Sequence, residues 1–534
     1  MSAPSDLLAE NTTLRAQLDT HAKELAERDQ EILRLRHNLE VLRKMLFGPQ
    51  TEKRGTPAPT TPGQQLLALG EVAAAAEVAA QSQGATAKVE VSPAPAGSAP
   101  ADAPKRRKAG RRSTFPAHLP VVRETITLAP EALKCVCGCE LKRMGEEVTR
   151  ELQRVEVTIV HETARTKYAC PSCREQVVTA PAPTRVIDKG LLGSGFLGYL
   201  LNERFGNHMP YHRIEQKLAD EGLDLSRSVL CTSAGRCADL LEPVVERMRV
   251  EMLAGPFVGA DDTGVSLQQG SDGTSRDAYM WVYRDLEGRN VYDFTERRNA
   301  SGPAQFLGEF KGFLQVDAAN LYDGLFGPDG PTEVGCIAHA RRKFVEAEST
   351  DPTMAKAAID QFAALYAVEK AAAAMSAEER LALRKQASAP ALSGLFAWME
   401  RTRDFVLEQS PLGQAIGYAL RNRVALSRYL DDGRLPIDNN SVERSLRRIA
   451  LGRNNWGNVG NEDGGRRAAV LYSLVQTCRE VGVNPTEYFR DVLIRVRTGT
   501  DVAKLTPHGW KTHFMAEVHA RRQDALGRIT FAPR

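Results

Sequence analysis

Long hydrophobic runs are missing from this chain. Nowhere in its 534 residues does an apolar stretch approach the ~18 needed to cross a bilayer. The opening MSAPSDLLAENTTLRAQL has neither the basic flank nor the apolar run of a secretory signal, so a cytoplasmic protein is expected. Cysteine is scarce: nine residues, an odd number, are scattered through a large chain. That argues against a disulfide framework and for reduced thiols or metal ligation. A dominant charge of one sign is missing too. With 70 Lys and Arg against 67 Asp and Glu the net charge is +3, so affinity for a polyanion has to come from local arrangement.

What is present divides into several units, as a chain of this length implies at ~100–200 residues per domain. Residues 1–48 carry a heptad in which Asn11, Leu18, Leu25, Ile32, Leu39 and Leu46 share one position and Leu7, Leu14, Leu35 and Leu42 the other, with His21 and Arg28 interrupting the second. A period of 3.5 held over this length predicts a leucine-zipper-like coiled coil, and hence a homo-oligomer. Residues 49–112 read as a linker, because Thr56 to Pro104 is rich in Ala, Pro, Gly, Ser and Thr and nearly free of aromatics. It ends in PKRRKAGRRS, whose Lys105, Arg106, Arg107, Lys108, Arg111 and Arg112 suit contact with a DNA phosphate backbone.

Residues 113–188 contain KCVCGCEL and KYACPSCRE. Cys170 and Cys173 form a C-x2-C pair, a spacing that lets two thiolates reach one tetrahedral ion. The other ligands come from Cys135, Cys137 and Cys139, so four of these five would hold a structural zinc in a ribbon-like unit, and which of the first three ligate stays open. In residues 189–254, YHRIEQKLADEGLDLSRSVLCTSAGRCADLL predicts a helix, a short turn and a second helix capped by Ser226 or Ser228. That pattern fits a helix-turn-helix and equally any helical domain. Cys231, Cys237 and Cys478 read as small buried residues.

From 255 to 345 the pattern changes to strands. PFVGADDTGVSLQ, AYMWVYRD and NVYDFTER predict an antiparallel meander. A short helix GPAQFLGEF, a strand GFLQVDA ending in Asp317, a helical crossover and a strand EVGCIAHA follow. This is the order of an RNase H-like domain, in which the first and fourth strands are neighbours and would bring Asp261 and Asp317 together. Residues 346–430 read as a helical insertion, 431–495 as the second part of the core, and 496–534 as a tail. The whole is a multidomain α+β chain. Carboxylates so placed repel one another unless a cation lies between them, and hard Mg2+ prefers oxygen ligands.

The third acid is expected in IDNNSVERSLRRIA, where Asp438, Asn440 or Ser441 can cap a helix. Glu443 then falls in its first turn. A surface pair with Arg447, four residues on, explains it cheaply; a site with the two aspartates explains it functionally. Cys336 and His339 in CIAHARRKF have metal-ligand spacing but no second pair, which favours a buried thiol and a hydrogen-bonded histidine. Arg341, Arg342 and Lys343 follow as candidate DNA contacts.

ADDTGV, LQVDAANLYDGL, GCIAHARRKF, DNNSVERSLRRIALGRNNW and AAVLYSLVQTCREVGVNPTEYFRDVL, in this order, resemble the IS66 family of bacterial insertion-sequence transposases. The upstream FGPQTEK, GRRSTFPAHLP, the cysteine clusters and HMPYHRIEQKLADEGLDLSRS extend the likeness over most of residues 1–525. The resemblance implies a DDE transposase in the bacterial cytoplasm, associated with the nucleoid. Asp261, Asp317 and Glu443 would be its catalytic acids and the ligands of two Mg2+ or Mn2+ ions, acting on double-stranded DNA at element ends and target. It also admits accessory proteins of the same element as partners. Arg444, Arg447, Arg448 and Arg453 are candidate phosphate contacts. Two departures stand out: DDT where the family has DET, which leaves Asp262 as a competing ligand, and Asn454 where the family has lysine. A silent DNA-binding regulator and an RNase H-like nuclease are the competing functions.

Overall fold

A computed structural model describes residues 4–47, 158–169, 177–179, 181–269 and 274–527. The five candidate zinc cysteines and the basic run from Lys105 to Arg112 lie outside these residues. The chain begins with a 44-residue helix, Pro4–Phe47, on which Leu14, Leu18, Leu25, Leu35 and Leu39 are exposed. Near its end Val41 is buried, and His37 Nε2 lies 3.0 Å from Asp351 Oδ2. A two-stranded antiparallel ribbon follows, β1 (Lys167–Ala169) with β2 (Val177–Thr179).

Three helices, Ser194–Leu201, Tyr211–Asp220 and Arg227–Leu253, precede the sheet. Gly222 in the turn between the last two has φ +81, a conformation that glycine adopts without steric cost. Ser226 caps the third helix by accepting the Val229 amide at 3.4 Å, one of the two caps expected. Leu230, Leu241, Val244 and Met248 along this helix are buried at helical spacing and join the main core. Cys237 and Cys478 are buried as expected, but Cys231 is exposed, because it sits on the solvent face one position beyond the buried Leu230.

The meander is β3 (Phe257–Gln269), β4 (Thr274–Arg284) and β5 (Asn290–Thr295), antiparallel throughout. Ala278, Met280, Trp281, Val282 and Tyr283 of β4 are all buried, so both of its faces are covered and polar alternation is lost. After the helix Ser301–Leu307, β6 (Phe313–Gln315) runs parallel to β3, and β7 (Thr332–Val334) runs parallel to β6. The order is β5-β4-β3-β6-β7, with β8 (Asn458–Val459) pairing parallel to β3 near its far end. Two expected strands are shorter than predicted. The fourth stops at Gln315, leaving Asp317 beyond it, and the fifth covers only 332–334, since Ile337–Ala347 is helical. Apolar residues in CIAHA fit a buried helix face as well as a strand, and the structure places Ile337, Ala340 and Phe344 on that face.

Helices Pro352–Ala371, Ala377–Leu383, Ala389–Arg403 and Pro411–Arg421 form the insertion, with its own core around Phe344, Phe362, Leu395, Ile416 and Tyr429. Arg384, fully buried, makes a bidentate pair with Glu369 and donates to the carbonyls of Tyr429 and Asp432. Its buried charge is thereby matched on every side. Helices Asn440–Trp456, Glu462–Glu480 and Pro485–Arg497 return to the main core. Among the described residues no helix is long and apolar enough to cross a membrane.

Candidate active site

Strand β3 pairs with β6 at a constant offset of 56 (313 − 257), the same interval that separates Asp317 from Asp261. The parallel register therefore carries Asp317 level with Asp261 although the ladder has ended two residues earlier. Ala318 has φ +60, a left-handed conformation that costs an alanine roughly 1 kcal/mol. The kink lets Asp317 Oδ1 accept the Ala319 amide at 3.1 Å, while Tyr418 Oη donates to the Asp317 carbonyl at 3.1 Å. The Asp317 carboxylate is thus fixed by a strained turn rather than by strand pairing.

Successive side chains of a strand point to opposite faces, which separates Asp261 from Asp262. Asp262 is buried and accepts Arg298 Nε at 3.1 and 2.9 Å on its two oxygens. That guanidinium occupies the carboxylate that sequence alone left as a competing ligand. Asp261 is held well above the usual carboxylate range, first by burial and then by the charges of Asp317, Asp262 and Glu443. Asp317 is also raised, chiefly by burial. Asp261 is thus crowded by carboxylates without an offsetting cation of the protein, which marks it as a candidate functional group.

Glu443 lies in the first turn of Asn440–Trp456. It does not pair with Arg447. Its Oε2 is 3.3 Å from Arg342 Nη2 and its Oε1 is 3.5 Å from His339 Nε2. Oε1 and His339 Nδ1 are buried without a hydrogen-bond partner. The helix is anchored by a residue no sequence cue had marked: Asn439, fully buried at the N-cap, donates from Nδ2 to the Ala260 carbonyl at 3.1 Å, and its amide donates to Cys336 Sγ at 3.2 Å. The expected caps are absent at this end, since no side chain caps the helix, and Asp438 instead accepts the Asn440 amide and the Tyr366 hydroxyl. Asn439 therefore ties the Glu443 helix to the residue preceding Asp261.

Other expected contacts are placed as follows. Arg342 pairs with Glu443, Lys343 lies 4.7 Å from the Tyr418 ring, and Arg453 Nη1 donates to Thr263 Oγ1 at 2.9 Å and to the Gly264 carbonyl. Arg341 is half-buried, Arg447 is half-buried, and Arg444, Arg448 and Asn454 are exposed. Arg298, His339 and Asn439 are the site residues that sequence reasoning missed or underused. A paired arginine directly after a strand, in TERRN, was the available signal for the first.

Burial lowers the His339 imidazole to about 4; Glu443 opposes the shift, and Arg342 and Lys343 add to it. Because the folded value lies below the unfolded 6.5, neutral His339 contributes stability that is complete above pH 6.5 and is lost as the pH falls toward 4. Denaturant unfolding at pH 7 and pH 5 should show a loss of roughly 2 kcal/mol from this residue. His339→Asn should flatten that slope whatever it does to stability at pH 7; an unchanged slope would refute the assignment.

Among the described residues no three His, Cys, Asp or Glu side chains converge as a ready-made metal site. The donor chemistry nevertheless fits a hard cation, since Asp261, Asp317 and Glu443 offer oxygen alone and Glu443 Oε1 is an orphaned buried acceptor. Glu443 is drawn toward Arg342 and His339, which accounts for the open arrangement.

The acids lie on β3, in the turn after β6 and on a following helix. Residues 189–467, more than half of the chain, match the family described as "Transposase IS66 family". The chain belongs to the IS66 transposase family. Residues 34–123 match a second description, "Transposase C of IS166 homeodomain". Relatives in Sinorhizobium fredii carry no assigned activity: "Uncharacterized protein y4jD" is 30% identical over 90% of this chain and 95% of its own, and "Uncharacterized protein y4qI" is 32% identical over 77% and 79%. The family match ends at 467 and so includes all three acids and the entire helical insertion.

Proposed function

We propose that this IS66 family member is a DNA transposase of the DDE type, cutting element ends and joining them to target DNA in an RNase H-like domain. The observation that carries the reading is the crowding of Asp261 by Asp317 and Glu443, carboxylates from β3, the turn after β6 and a helix 126 residues further on (443 − 317). The strand order, with β6 beside β3, supports the domain assignment.

Asp261, Asp317 and Glu443 would hold two Mg2+ or Mn2+ ions, which when bound supply Lewis-acid polarisation of the scissile phosphate and an activated water. The protein's own residues prepare that site. Asn439 fixes the Glu443 helix against β3, Arg298 keeps Asp262 occupied, and Arg342 balances Glu443 until the charge of the filled site replaces it. Arg444 and Arg447 lie beyond Glu443 on the same helix, where they would steer phosphates. No side-chain nucleophile is required, so no Ser or Tyr becomes linked to DNA. The amino-terminal heptad would pair chains, the 211–253 helices and the 105–112 basic run would contact DNA, and four of the five clustered cysteines would hold zinc. A cytoplasmic, nucleoid-associated location and accessory proteins of the same element belong to this reading.

The test is a joining reaction with duplex DNA bearing the element's ends, a target plasmid, and Mg2+ or Mn2+. Nicked ends and covalently joined donor-target products are expected. Nicks without joined products would shift the assignment to an RNase H-like nuclease. End binding with neither would leave a silent regulator.

A further inference from the structure

The amino-terminal helix meets the rest of the chain along one turn of its length. From 11 to 45 every residue is exposed except His37, Asn38 and Val41. His37 Nε2 lies 3.0 Å from Oδ2 of Asp351, a buried residue, Asn38 Oδ1 is closed to solvent, and Val41 is 6% exposed. The heptad seam is on another side. Leu39 is two residues after His37 and two before Val41, which places it about 160° round the helix from each. It is 70% exposed, and Ile32, Leu35 and Leu42 beside it are exposed too. The covered face and the apolar seam stand back to back.

Asp351 is a fixed point of the catalytic part. Its Oδ1 accepts the Met354 amide at 3.1 Å and caps helix Pro352–Ala371, where the helix dipole favours a carboxylate. Its own amide donates to the Ala347 carbonyl at 2.9 Å, closing the end of helix Ile337–Ala347. Phe344 and Phe362, ring centres 5.5 Å apart, pack the two helices together. The earlier helix carries His339 and Arg342, the partners of Glu443. With Oδ1 engaged by the cap, Oδ2 faces His37, and a buried acceptor left without a partner costs free energy. Such a patch is far smaller than the ~1,600 Å² that holds separate proteins together. It is enough for a helix that the chain already tethers.

We propose that the His37–Val41 face is a docking surface for the Asp351 corner of the same chain, and that it leaves the leucine seam to a second copy, so that pairing fixes how two catalytic domains are held. The proposal rests on the pairing and transposase readings and deepens them by joining the amino-terminal helix to the domain that carries the acids. An element is joined to target DNA by both of its ends. Two active sites held in one arrangement act on the ends together, whereas undocked ones act singly.

The measurement uses the full chain with the photoreactive residue benzoylphenylalanine at position 37. Irradiation should cross-link it to the peptide around 351, and in mixed pairs of isotope-labelled and unlabelled chains both halves of each linked peptide should come from one chain. His37→Glu sets a second carboxylate against Asp351. Light scattering should show its pairing unchanged and single-end nicking should persist, while concerted joining of two ends should fall about tenfold or more. Adding Asp351→Asn keeps the helix cap, offers the new carboxylate an N–H, and should restore joining. No cross-link to 351 in a paired chain, or cross-links only between chains, would overturn the dock. Undiminished two-end joining by His37→Glu, or no recovery in the double variant, would overturn its role. The underlying readings fail differently. A monomeric wild-type chain would sink the pairing, and a paired, cross-linked chain that neither cuts nor joins would sink the transposase assignment.

Discussion

Asp261→Asn and Asp317→Asn should each abolish end cleavage and joining, by roughly 10³-fold or more, while raising the melting temperature in metal-free buffer. The first effect follows from losing a charged ligand whose contribution to the transition state is several kcal/mol, with each ~1.4 kcal/mol a factor of ten. The second follows from the electrostatics of the site. Asp261 titrates well above the usual range, because burial and the neighbouring Asp317, Asp262 and Glu443 disfavour its charged form. A carboxyl whose folded value is raised stabilises the fold only below its unfolded value, and that contribution is lost as pH rises through the folded value. At neutral pH the ionised group therefore works against folding, and an isosteric amide relieves it. In a domain of this size about 1 kcal/mol corresponds to a few degrees. Mg2+ should raise the melting temperature of the wild-type chain by mass action and have a smaller effect on either variant. Joining assays and calorimetry on the same preparations check both. Wild-type joining by Asp317→Asn would remove the acids from catalysis, and a lower metal-free melting temperature for Asp261→Asn would refute the repulsion.

The parts of this site that could be read from sequence are those set by short-range pattern. Extended runs separated by polar, glycine-containing turns place the three strands of the meander near their observed positions, and the expected nearness of Asp261 and Asp317 follows from strand adjacency. What could not be read is long-range. Glu443 has Arg447 within one helical turn, yet its partners are Arg342 and His339, about a hundred residues earlier. Arg453, a candidate phosphate contact, hydrogen-bonds Thr263 and Gly264 of β3, 190 and 189 residues away, partners that no local pattern reveals. Asn439 sits among three residues with equal capping preference, and its role depends on the Ala260 carbonyl, which no local pattern reveals. Asp317 shows the same limit in reverse. The apolar run GFLQV suggested a strand reaching the aspartate, but pairing stops at Gln315 and the left-handed Ala318 turns the chain.

Gly259→Ala should reduce joining by about 10–100-fold and lower stability by about 1–3 kcal/mol, although position 259 touches no substrate. Gly259 lies on β3, two residues before Asp261, in the section that pairs with β6. A Cβ there would stand 2.7 Å from Val442 Cγ2 and 3.0 Å from Asn439 Oδ1, distances at which side chain or backbone has to move. Val442 and Asn439 belong to the start of the Glu443 helix and are both buried, so neither can swing into solvent, and the strain falls on the helix. Overpacking of this kind costs about 1–3 kcal/mol, and a displacement near ~1 Å in a reacting group can cost about 10²-fold in rate. Adding Val442→Ala removes the atom in closest conflict and should recover part of the lost activity in the double variant, which a simple loss of folding would not allow. Activity and melting temperature of the two variants, measured side by side, decide the matter. Full activity in Gly259→Ala would mean that the close approach of helix and strand does not position Glu443. No rescue in the double variant would assign the loss to Asn439 and its bond to Ala260.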